Sequence, residues 1–379
     1  MELKTLELFV PGRLCLIGEH SDWAGLHRVI NSAIIPGEAI VTGIEQGIYA
    51  FVTPADKFMI DSDIPAFKGE CYECEMDTEL LRQTANEGGF FSYVAGVASY
   101  VNECYNVGGL HITISKMDLP IKSGLSSSAA ICVLVARAFN QLYNLHLNTM
   151  GEMTIAYIGE QRTPSRCGRL DQACAYGVNP VHMIFDGNEI SVKPLKIKRP
   201  LHWVVADLNS HKDTVKILAD LNKCFPFAQN EMEENVQEAL GKDNKAFINR
   251  AIAYIEAGEN EKLGELMTCY QENFDKKVAP ACIQELASPI LHSVLNDENI
   301  RPWIYGAKGV GSQGDGTVQF LAKDEVCQKK LILQYGWLSA YIESSAGGKK
   351  GYYTGCRFWN EIISGNQSLK KRFLSGVGS

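Results

Sequence analysis

A serine-rich loop that runs directly into a long apolar helix pattern is the feature that most constrains the fold of this chain. After Pro120 the sequence reads IKSGLSSSAAICVLVARAFNQLYNL, and its apolar residues recur at helical spacing. A helix N-terminus exposes unpaired N–H groups and the positive end of the helix dipole, so small residues before it let backbone donors approach an anion. One serine would be an ordinary helix cap, but three in a row exceed what a cap needs. We therefore predict a phosphate-binding loop here.

This loop does not match the common nucleotide-binding signatures. It contains no G-x4-G-K-[ST], and the junction has no G-x-G-x-x-G. The sequence therefore predicts a nucleotide-binding fold of a different kind.

Strand and helix patterns are interleaved along the chain, which predicts a mixed α+β protein. In the first half, short β-branched runs predict a sheet at 7–17, 29–43, 48–53 and 108–117, and helical spacing predicts helices at 92–104 and 150–161. In the second half we predict a strand at 203–208, helices within 230–295, strands near 302–306 and 317–322, and a helix near 325–334. The Lys- and Pro-containing stretch 193–202 predicts a boundary between domains at 1–198 and 199–379.

Composition narrows the class of protein. The 379 residues suffice for two domains with a cleft between them, and 46% hydrophobic with 21% charged residues is typical of globular proteins. The net charge of -8 argues against a nucleic-acid footprint. The N-terminal residues lack a leader pattern and no long apolar run follows, so we predict a cytoplasmic protein without a membrane segment. Several of the twelve cysteines lie in apolar runs, which predicts free thiols rather than metal ligands.

Three other segments concentrate polar or glycine residues. LIGEHSDWAG, residues 16–25, packs a Glu, a His and an Asp into four positions after a predicted strand. GEQRTPSRCGRLDQ, residues 159–172, contains Glu160 and Asp171, which could bracket a metal and a reacting hydroxyl as phosphoryl transfer requires, although either acid alone could be a solvated charge. GAKGVGSQGDG, residues 306–316, permits close backbone approach to a ligand but is also typical of a flexible hairpin.

Together, PGRLCLIGEHSDWAG, PIKSGLSSSAA, CGRLDQ and GAKGVGSQGDG, in that order, resemble the GHMP kinase superfamily and, within it, galactokinases and related sugar 1-kinases. The resemblance implies an α+β, two-domain GHMP kinase fold. Its N-terminal domain would resemble ribosomal protein S5 domain 2, its C-terminal domain would be ferredoxin-like, and the active site would lie in the cleft between them. It also implies a kinase, a monomer or homodimer, that uses ATP, Mg2+ and a small-molecule sugar.

The resemblance also implies roles for particular residues. The galactokinase signature, approximately G-R-V-N-L-I-G-E-H-x-D-Y, is kept at every polar position except the Asn, and it implies that Glu19, His20 and Asp22 bind sugar hydroxyls. The family segment C-G-I-M-D-Q appears as residues 167–172 and places Asp171 at the position of the catalytic aspartate. Asp171 would bind and orient the anomeric hydroxyl, and Arg13 would stabilise the charge of the transferring phosphoryl group.

The ATP and Mg2+ contacts follow from the same resemblance. Ser128 and Glu160 match the Mg2+ ligands of the family, with water and ATP oxygens completing the shell. The residues that would line the phosphate cradle are Gly124, Ser126, Ser127 and Ser128, with Gly309 and Gly311 closing over it from the second domain.

Departures from the family pattern leave the substrate open. Arg169, Gln313 and Asp315 stand where the family commonly has apolar residues or glycine. An extra cation near the sugar pocket, such as Arg169, could bind the carboxylate of a uronic acid or face solvent. The predicted reaction is ATP-dependent phosphorylation of the C1 hydroxyl of galactose or a related aldose or uronic acid. The alternatives are a kinase for a non-sugar alcohol, such as mevalonate or homoserine, and a catalytically silent sensor of sugar and ATP.

Overall fold

Two β-sheets and the helices packed on them form the molecule. The structure is a computed structural model that describes residues 5–63, 71–119, 125–165, 167–210, 212–335 and 338–342. Element numbers below follow the chain.

The first sheet has seven strands and is built around one long strand. Its members are β1 (Leu6–Ile17), β2 (Gly37–Ala55), β3 (Phe58–Ser62), β4 (Tyr72–Cys74), β5 (Gly109–Met117), β6 (Val181–Asp186) and β7 (Glu189–Pro194). The order is β4-β3-β5-β2-β6-β7, with β1 antiparallel to β2. Residues 19–22, named here the EHSD segment, follow the turn at the end of β1. The sheet therefore fixes where the EHSD segment begins.

Five helices and a short 3-10 turn accompany this sheet. They are α1 (Ser21–Leu26), α2 (Thr78–Glu87), α3 (Phe90–Tyr105), α4 (Ser127–Tyr143), α5 (Thr149–Gln161) and the 3-10 turn Asp171–Tyr176. The predicted helices at 92–104 and 150–161 and the helix after the serine loop are confirmed. The prediction of sheet from residue 29 is wrong up to residue 36, because Asn31 bonds the backbone of Ala33 in a turn and Pro36 precedes the strand.

The second sheet has four strands, all antiparallel. They are β8 (Leu201–Asp207), β9 (Ile304–Gly309), β10 (Thr317–Ala322) and β11 (Leu338–Ile342), in the order β11-β8-β10-β9. The helices of this half are α6 (Thr214–Asn222), α7 (Glu231–Glu238), α8 (Asn244–Ala257), α9 (Asn260–Lys277), α10 (Ile283–Leu286), α11 (Pro289–Leu295) and α12 (Glu325–Tyr335). The predicted strands and helices of the second half are confirmed, but residues 306–309 of the predicted loop belong to β9.

The largest hydrophobic cluster joins the two sheets. It contains Leu14 of β1 and Val133 of α4 together with Trp203 of β8 and Ile248 of α8, each fully buried. Residues 195–200 connect the last strand of the first sheet to the first strand of the second, and the boundary between domains 1–198 and 199–379 stays a prediction.

Two negative features concern the described residues alone. Their eleven cysteines are all free of disulfide bonds. None of the helices among them combines the length and the apolar character needed to cross a membrane.

Candidate active site

Three sequence-predicted residues meet at the start of α4. Arg13 Nη2 donates to Ser126 Oγ at 2.5 Å and also to the carboxylate of Asp171, while Ser126 Oγ donates to Asp171 Oδ1 at 2.5 Å. Arg13 projects from β1, Ser126 precedes α4, and Asp171 begins the 3-10 turn. The backbone adds one more link, since Arg13 N donates to Leu125 O at 3.0 Å. The structure therefore brings the predicted cation and aspartate together beside the predicted phosphate loop.

Two nitrogens of the Arg13 guanidinium make no hydrogen bond within the described residues. Its side chain is almost entirely buried, and burial lowers the pKa of Arg13, opposed by nearby acidic groups such as Asp22 and Glu19. Nε and Nη1 have no hydrogen-bond partner among the described residues. Because unmade bonds at a buried cation are costly, the remaining donors fit an anionic group such as a phosphoryl oxygen.

The start of α4 carries no side-chain cap. Ser126 adopts a left-handed conformation with φ of 57° and does not cap the helix through its hydroxyl. The first-turn N–H groups at Ser127 and Ser128 are therefore not engaged by a capping side chain, which suits phosphate binding. Gly124, the remaining residue of the predicted cradle, lies outside the described residues.

Glu160 lies at the end of α5 against the same helix start. Burial raises the pKa of Glu160, whereas hydrogen bonding from the Ser128 hydroxyl and the Gln172 amide lowers it. Gln172 Nε2 donates to Glu160 Oε2 at 2.8 Å. The pair Ser128 and Glu160 supplies a hydroxyl and a carboxylate, the oxygen-only donor set that Mg2+ prefers. Across the described ranges, no group of three or more His, Cys, Asp or Glu side chains gathers to hold a metal ion.

The EHSD segment forms the neighbouring part of the site. Gly18, with φ of 109°, turns the chain so closely past β2 that a Cβ there would overlap the carbonyl of Glu38. Asp22 accepts a hydrogen bond from Leu170 N at 3.2 Å, and a Cβ at Gly168 would overlap its carboxylate. Burial raises the pKa of Asp22. The segment is therefore tied directly to the loop that carries Asp171.

Glu19 is paired with a lysine that the sequence analysis missed. Lys308, fully buried in β9, forms a salt bridge with Glu19 Oε1 and donates to Gly309 O at 2.9 Å. Its ammonium also lies 5.5 Å from the ring centroid of Tyr270. Glu19 Oε2 is buried without a partner among the described residues, so one acceptor of Glu19 remains for a ligand. In the sequence, Lys308 is visible only as a lysine within the glycine-rich segment, and nothing in that segment indicates that it pairs with Glu19.

His20 is held between aromatic rings. Its Nδ1 lies 3.1 Å from Trp23 Nε1, and its ring stacks on Phe274 at 6.0 Å between centroids. Burial lowers the pKa of His20 to about 4, with Lys212 and Lys308 contributing in the same direction and the backbone of Ser312 opposing them.

The glycine-rich loop contacts this side of the site. Lys212 Nζ donates to the carbonyls of Val310, at 3.3 Å, and of Gln313, and Thr214 Oγ1 lies 3.1 Å from Ser312 Oγ. Burial lowers the pKa of Lys212 to about 8. None of the hydrogen bonds among the described residues joins the loop to Ser126–Ser128. The phosphate-binding role of Gly309 and Gly311 therefore stays a prediction.

Arg169 and Asp315, two of the residues that depart from the family pattern, have partners within the chain. Arg169 donates to Asn188 O at 2.7 Å and lies over the ring of Tyr157. Asp315 Oδ1 accepts from Leu291 N at 2.8 Å at the start of α11. These contacts favour the solvent-facing alternative for Arg169 over a carboxylate-binding role.

Part of the chain matches a known family. Residues 92–178, which include the serine loop, Glu160 and Asp171, match the family described as GHMP kinases N terminal domain. This part of the chain is therefore a GHMP kinase N-terminal domain by sequence. The α+β GHMP kinase fold predicted from the motifs is therefore confirmed.

Galactokinases are among the known proteins to which the chain is similar. The galactokinase of Pyrococcus furiosus is 34% identical over 164 residues, which are 43% of this chain and 41% of that protein. The galactokinase of Thermotoga maritima is 24% identical over 343 residues, 84% of this chain and 89% of that protein. The chain thus spans less than half of the Pyrococcus relative but most of the Thermotoga one.

Solved structures share the fold. A Lactococcus lactis galactokinase complexed with galactose superposes with a TM-score of 0.66 at 18% identity, covering 92% of this chain and 95% of that one. An L. major mevalonate kinase in complex with R-mevalonate gives 0.64 at 19%, covering 91% and 98%. At these identities the likeness establishes the fold and does not choose between substrates.

Proposed function

We propose that this protein transfers the γ-phosphoryl group of ATP to the anomeric C1 hydroxyl of a monosaccharide, giving the sugar 1-phosphate and ADP. The substrate class is galactose or a related aldose or uronic acid. The observation that carries the proposal is the convergence of Arg13, Ser126 and Asp171 at an uncapped helix start. Galactokinase relatives that align with most of the chain support the sugar as acceptor.

The proposed mechanism assigns a job to each side chain around the reacting atoms. Asp171, oriented by its ion pair with Arg13 and by Ser126, would accept a hydrogen bond from the C1 hydroxyl and direct its oxygen toward phosphorus. The free donors of Arg13 would stabilise charge on the transferring phosphoryl group. The amides at the start of α4 would hold the phosphate oxygens.

Ser128 and Glu160 would hold Mg2+, which supplies neutralisation of charge on the phosphate oxygens when bound. On the sugar side, Glu19 Oε2 and His20 Nε2 are buried atoms without partners among the described residues, and they would replace water around the sugar hydroxyls. Asp22 has a dual assignment, because it also bonds the backbone of Leu170 next to Asp171. A bound sugar would therefore be coupled mechanically to the catalytic aspartate. A cytoplasmic location and a monomeric or homodimeric state belong to the same proposal.

A substrate panel tests the proposal. Free aldoses, uronic acids, mevalonate and homoserine are each incubated with ATP and Mg2+, ADP release is measured, and the position of the phosphate is read by 31P NMR. We expect turnover of an aldose or uronic acid with the phosphate at C1. Turnover of mevalonate or homoserine alone would contradict the sugar assignment, and binding of sugar and ATP without any turnover would favour a sensor.

Two variants test the residues. Asp171→Asn should lower kcat at least 100-fold, because the amide no longer accepts the hydroxyl proton or pairs with Arg13. Asp186→Asn is the matched control, since it breaks the half-exposed Arg28–Asp186 pair outside the site and should leave kcat within about twofold. Equal activity of the two variants would remove Asp171 from the mechanism.

A further inference from the structure

The last position of the galactokinase signature, residue 23, differs chemically from the family pattern. Trp23 stands where the galactokinase signature has Tyr, and its indole Nε1 lies 3.1 Å from Nδ1 of His20. An indole N–H can donate a hydrogen bond but has no lone pair with which to accept one. His20 Nδ1 must therefore be the acceptor, and in a neutral imidazole the single ring proton then lies on Nε2.

The surroundings of His20 keep the ring neutral. Burial and the two cationic side chains near it, Lys212 before α6 and Lys308 on β9, all disfavour the imidazolium, and the Ser312 backbone opposes them only in part. Glu19, the adjacent carboxylate, is engaged in its salt bridge with Lys308. The ring thus carries one proton at neutral pH, and its position is decided by the hydrogen bond at Nδ1.

The geometry of the donor is itself fixed by packing. The Trp23 ring meets Phe225 edge-on at 5.4 Å and His27 at 6.3 Å between centroids. His20 stacks on Phe274 and has a left-handed backbone with φ of 67°. A flip of the imidazole would break the Trp23 bond and leave its partly buried N–H without an acceptor. Both rings are therefore restrained to one relative orientation.

We propose that Trp23 is a positioning residue that fixes His20 as the neutral Nε2–H tautomer, so that the substrate pocket offers a hydrogen-bond donor at this point. Nε2 is buried and makes no hydrogen bond of normal geometry among the described residues; apart from the Ser312 backbone, which acts on the ring, no group there takes up its proton, and a ligand can accept it. The substrate group that meets it must be an acceptor, namely a hydroxyl, ring or carboxylate oxygen, and an ammonium group would be rejected. This specificity rests on the proposed function, whereas the tautomer assignment does not.

Nitrogen-15 NMR tests the tautomer in the whole protein. Protonated and unprotonated imidazole nitrogens differ widely in 15N chemical shift, and His20 is assigned as the signal set lost in His20→Gln. We expect the wild-type protein at pH 7 to show protonated Nε2 and unprotonated Nδ1. Protonated Nδ1 would overturn the proposal, and because this measurement needs no Trp23 variant it does not depend on whether such a variant folds.

Trp23→Phe then removes the donor and keeps an aromatic ring. We expect this variant to populate the Nδ1–H tautomer and to raise KM for the sugar about tenfold, with a smaller change in kcat. Trp303→Phe, the same substitution just before β9, where the ring faces Lys330 of α12, is the control and should change neither. An unchanged tautomer in folded Trp23→Phe would overturn the proposal. A shifted tautomer in a protein that phosphorylates no sugar would uphold it and defeat the proposed function instead.

Discussion

Two buried glutamates on α5 have different environments. Glu152 accepts from Arg137 Nε at 2.9 Å and from Asn140 Nδ2 at 2.8 Å, so protein groups satisfy its charge. Glu160 is fully buried, yet among the described residues it forms no salt bridge, and the groups that bond to it, such as the Gln172 amide and the Ser128 hydroxyl, are neutral. A buried carboxylate without a paired cation is expensive unless a cation arrives from outside the chain. The contrast supports Glu160, and not Glu152, as the Mg2+ ligand.

Exchange of each glutamate for glutamine should separate the two roles. Glu160→Gln should raise the Mg2+ concentration for half-maximal activity at least tenfold, because an amide oxygen is a weaker ligand for Mg2+ than a carboxylate. Glu152→Gln should leave that concentration unchanged but lower the free energy of unfolding by about 2–4 kcal/mol, because Arg137 loses its buried partner. Mg2+ titrations of initial rate and urea unfolding measure the two effects. An unaltered Mg2+ requirement in Glu160→Gln would rule out the assignment.

For single residues, the sequence predicted which side chains belong to the site better than it predicted which side chains contact each other. Arg13, Ser126 and Asp171 converge as the motifs implied, because each motif sits at an element end that the fold brings to one place. Lys308 was missed, since nothing in the sequence couples a lysine in a glycine-rich segment to an acid almost the whole chain away. Gln172 was missed for a similar reason, because its contact with Glu160 depends on how the 3-10 turn packs.

For helices and strands, regular apolar spacing predicted where the long helices lie, but the sequence did not predict the turns that precede the strands. The apolar residues of α3, α4 and α5 predicted those helices: α5 buries one face, whereas α3 and α4 are buried on all sides over 94–99 and 129–136. The start of β2 could not be predicted, since residues 29–36 are mostly apolar but form a turn in which Asn31 Oδ1 accepts from Ala33 N and Arg28 Nη1 donates to Ser32 O. The glycine-rich loop is also shorter than predicted, and it is pinned by Lys212 from the segment before α6.

The pinning lysine gives a pH-dependent stability. Burial lowers the pKa of Lys212 to about 8, below the 10.5 of an exposed lysine. Below pH 8 the amine is protonated in both states, and burial of its charge costs folded-state stability in full. Between pH 8 and 10.5 the folded protein releases this proton while the unfolded chain keeps it, so the cost disappears as the pH rises.

We therefore expect the unfolding free energy of the wild-type protein to rise between pH 7 and pH 10 relative to Lys212→Met. The relative gain should be roughly 1–3 kcal/mol. Lys223→Met, at the exposed C-terminal end of α6, should run parallel to wild type and serves as the control. Urea unfolding of the three proteins at both pH values measures the differences, and a relative fall with pH would show that the amine is stabilised as a cation.

Over the whole molecule, the two sheets share their interior. Gln319 of β10 donates to Cys15 O of β1 at 2.9 Å and accepts from Trp203 Nε1 of β8 at 2.7 Å. Trp203 belongs to the same hydrophobic cluster as the strands of the first sheet. The site draws residues from both halves as well, since Lys308 pairs with Glu19. The predicted boundary at residue 198 thus falls within the segment that connects the two sheets, and the hydrophobic core continues across it.

This shared interior predicts one cooperative unfolding transition for the whole chain. Removing residues 199–379 would expose apolar surface on β1 and β2, against which α8 packs, so fragment 1–198 should lack a cooperative transition of its own. Urea unfolding followed by far-ultraviolet circular dichroism and by tryptophan fluorescence checks both statements, because the two probes should give coincident curves for the whole chain. Two separated transitions, the first reproduced by the fragment, would instead mean that the halves fold independently and that the contacts of Gln319 and Trp203 are too weak to couple them.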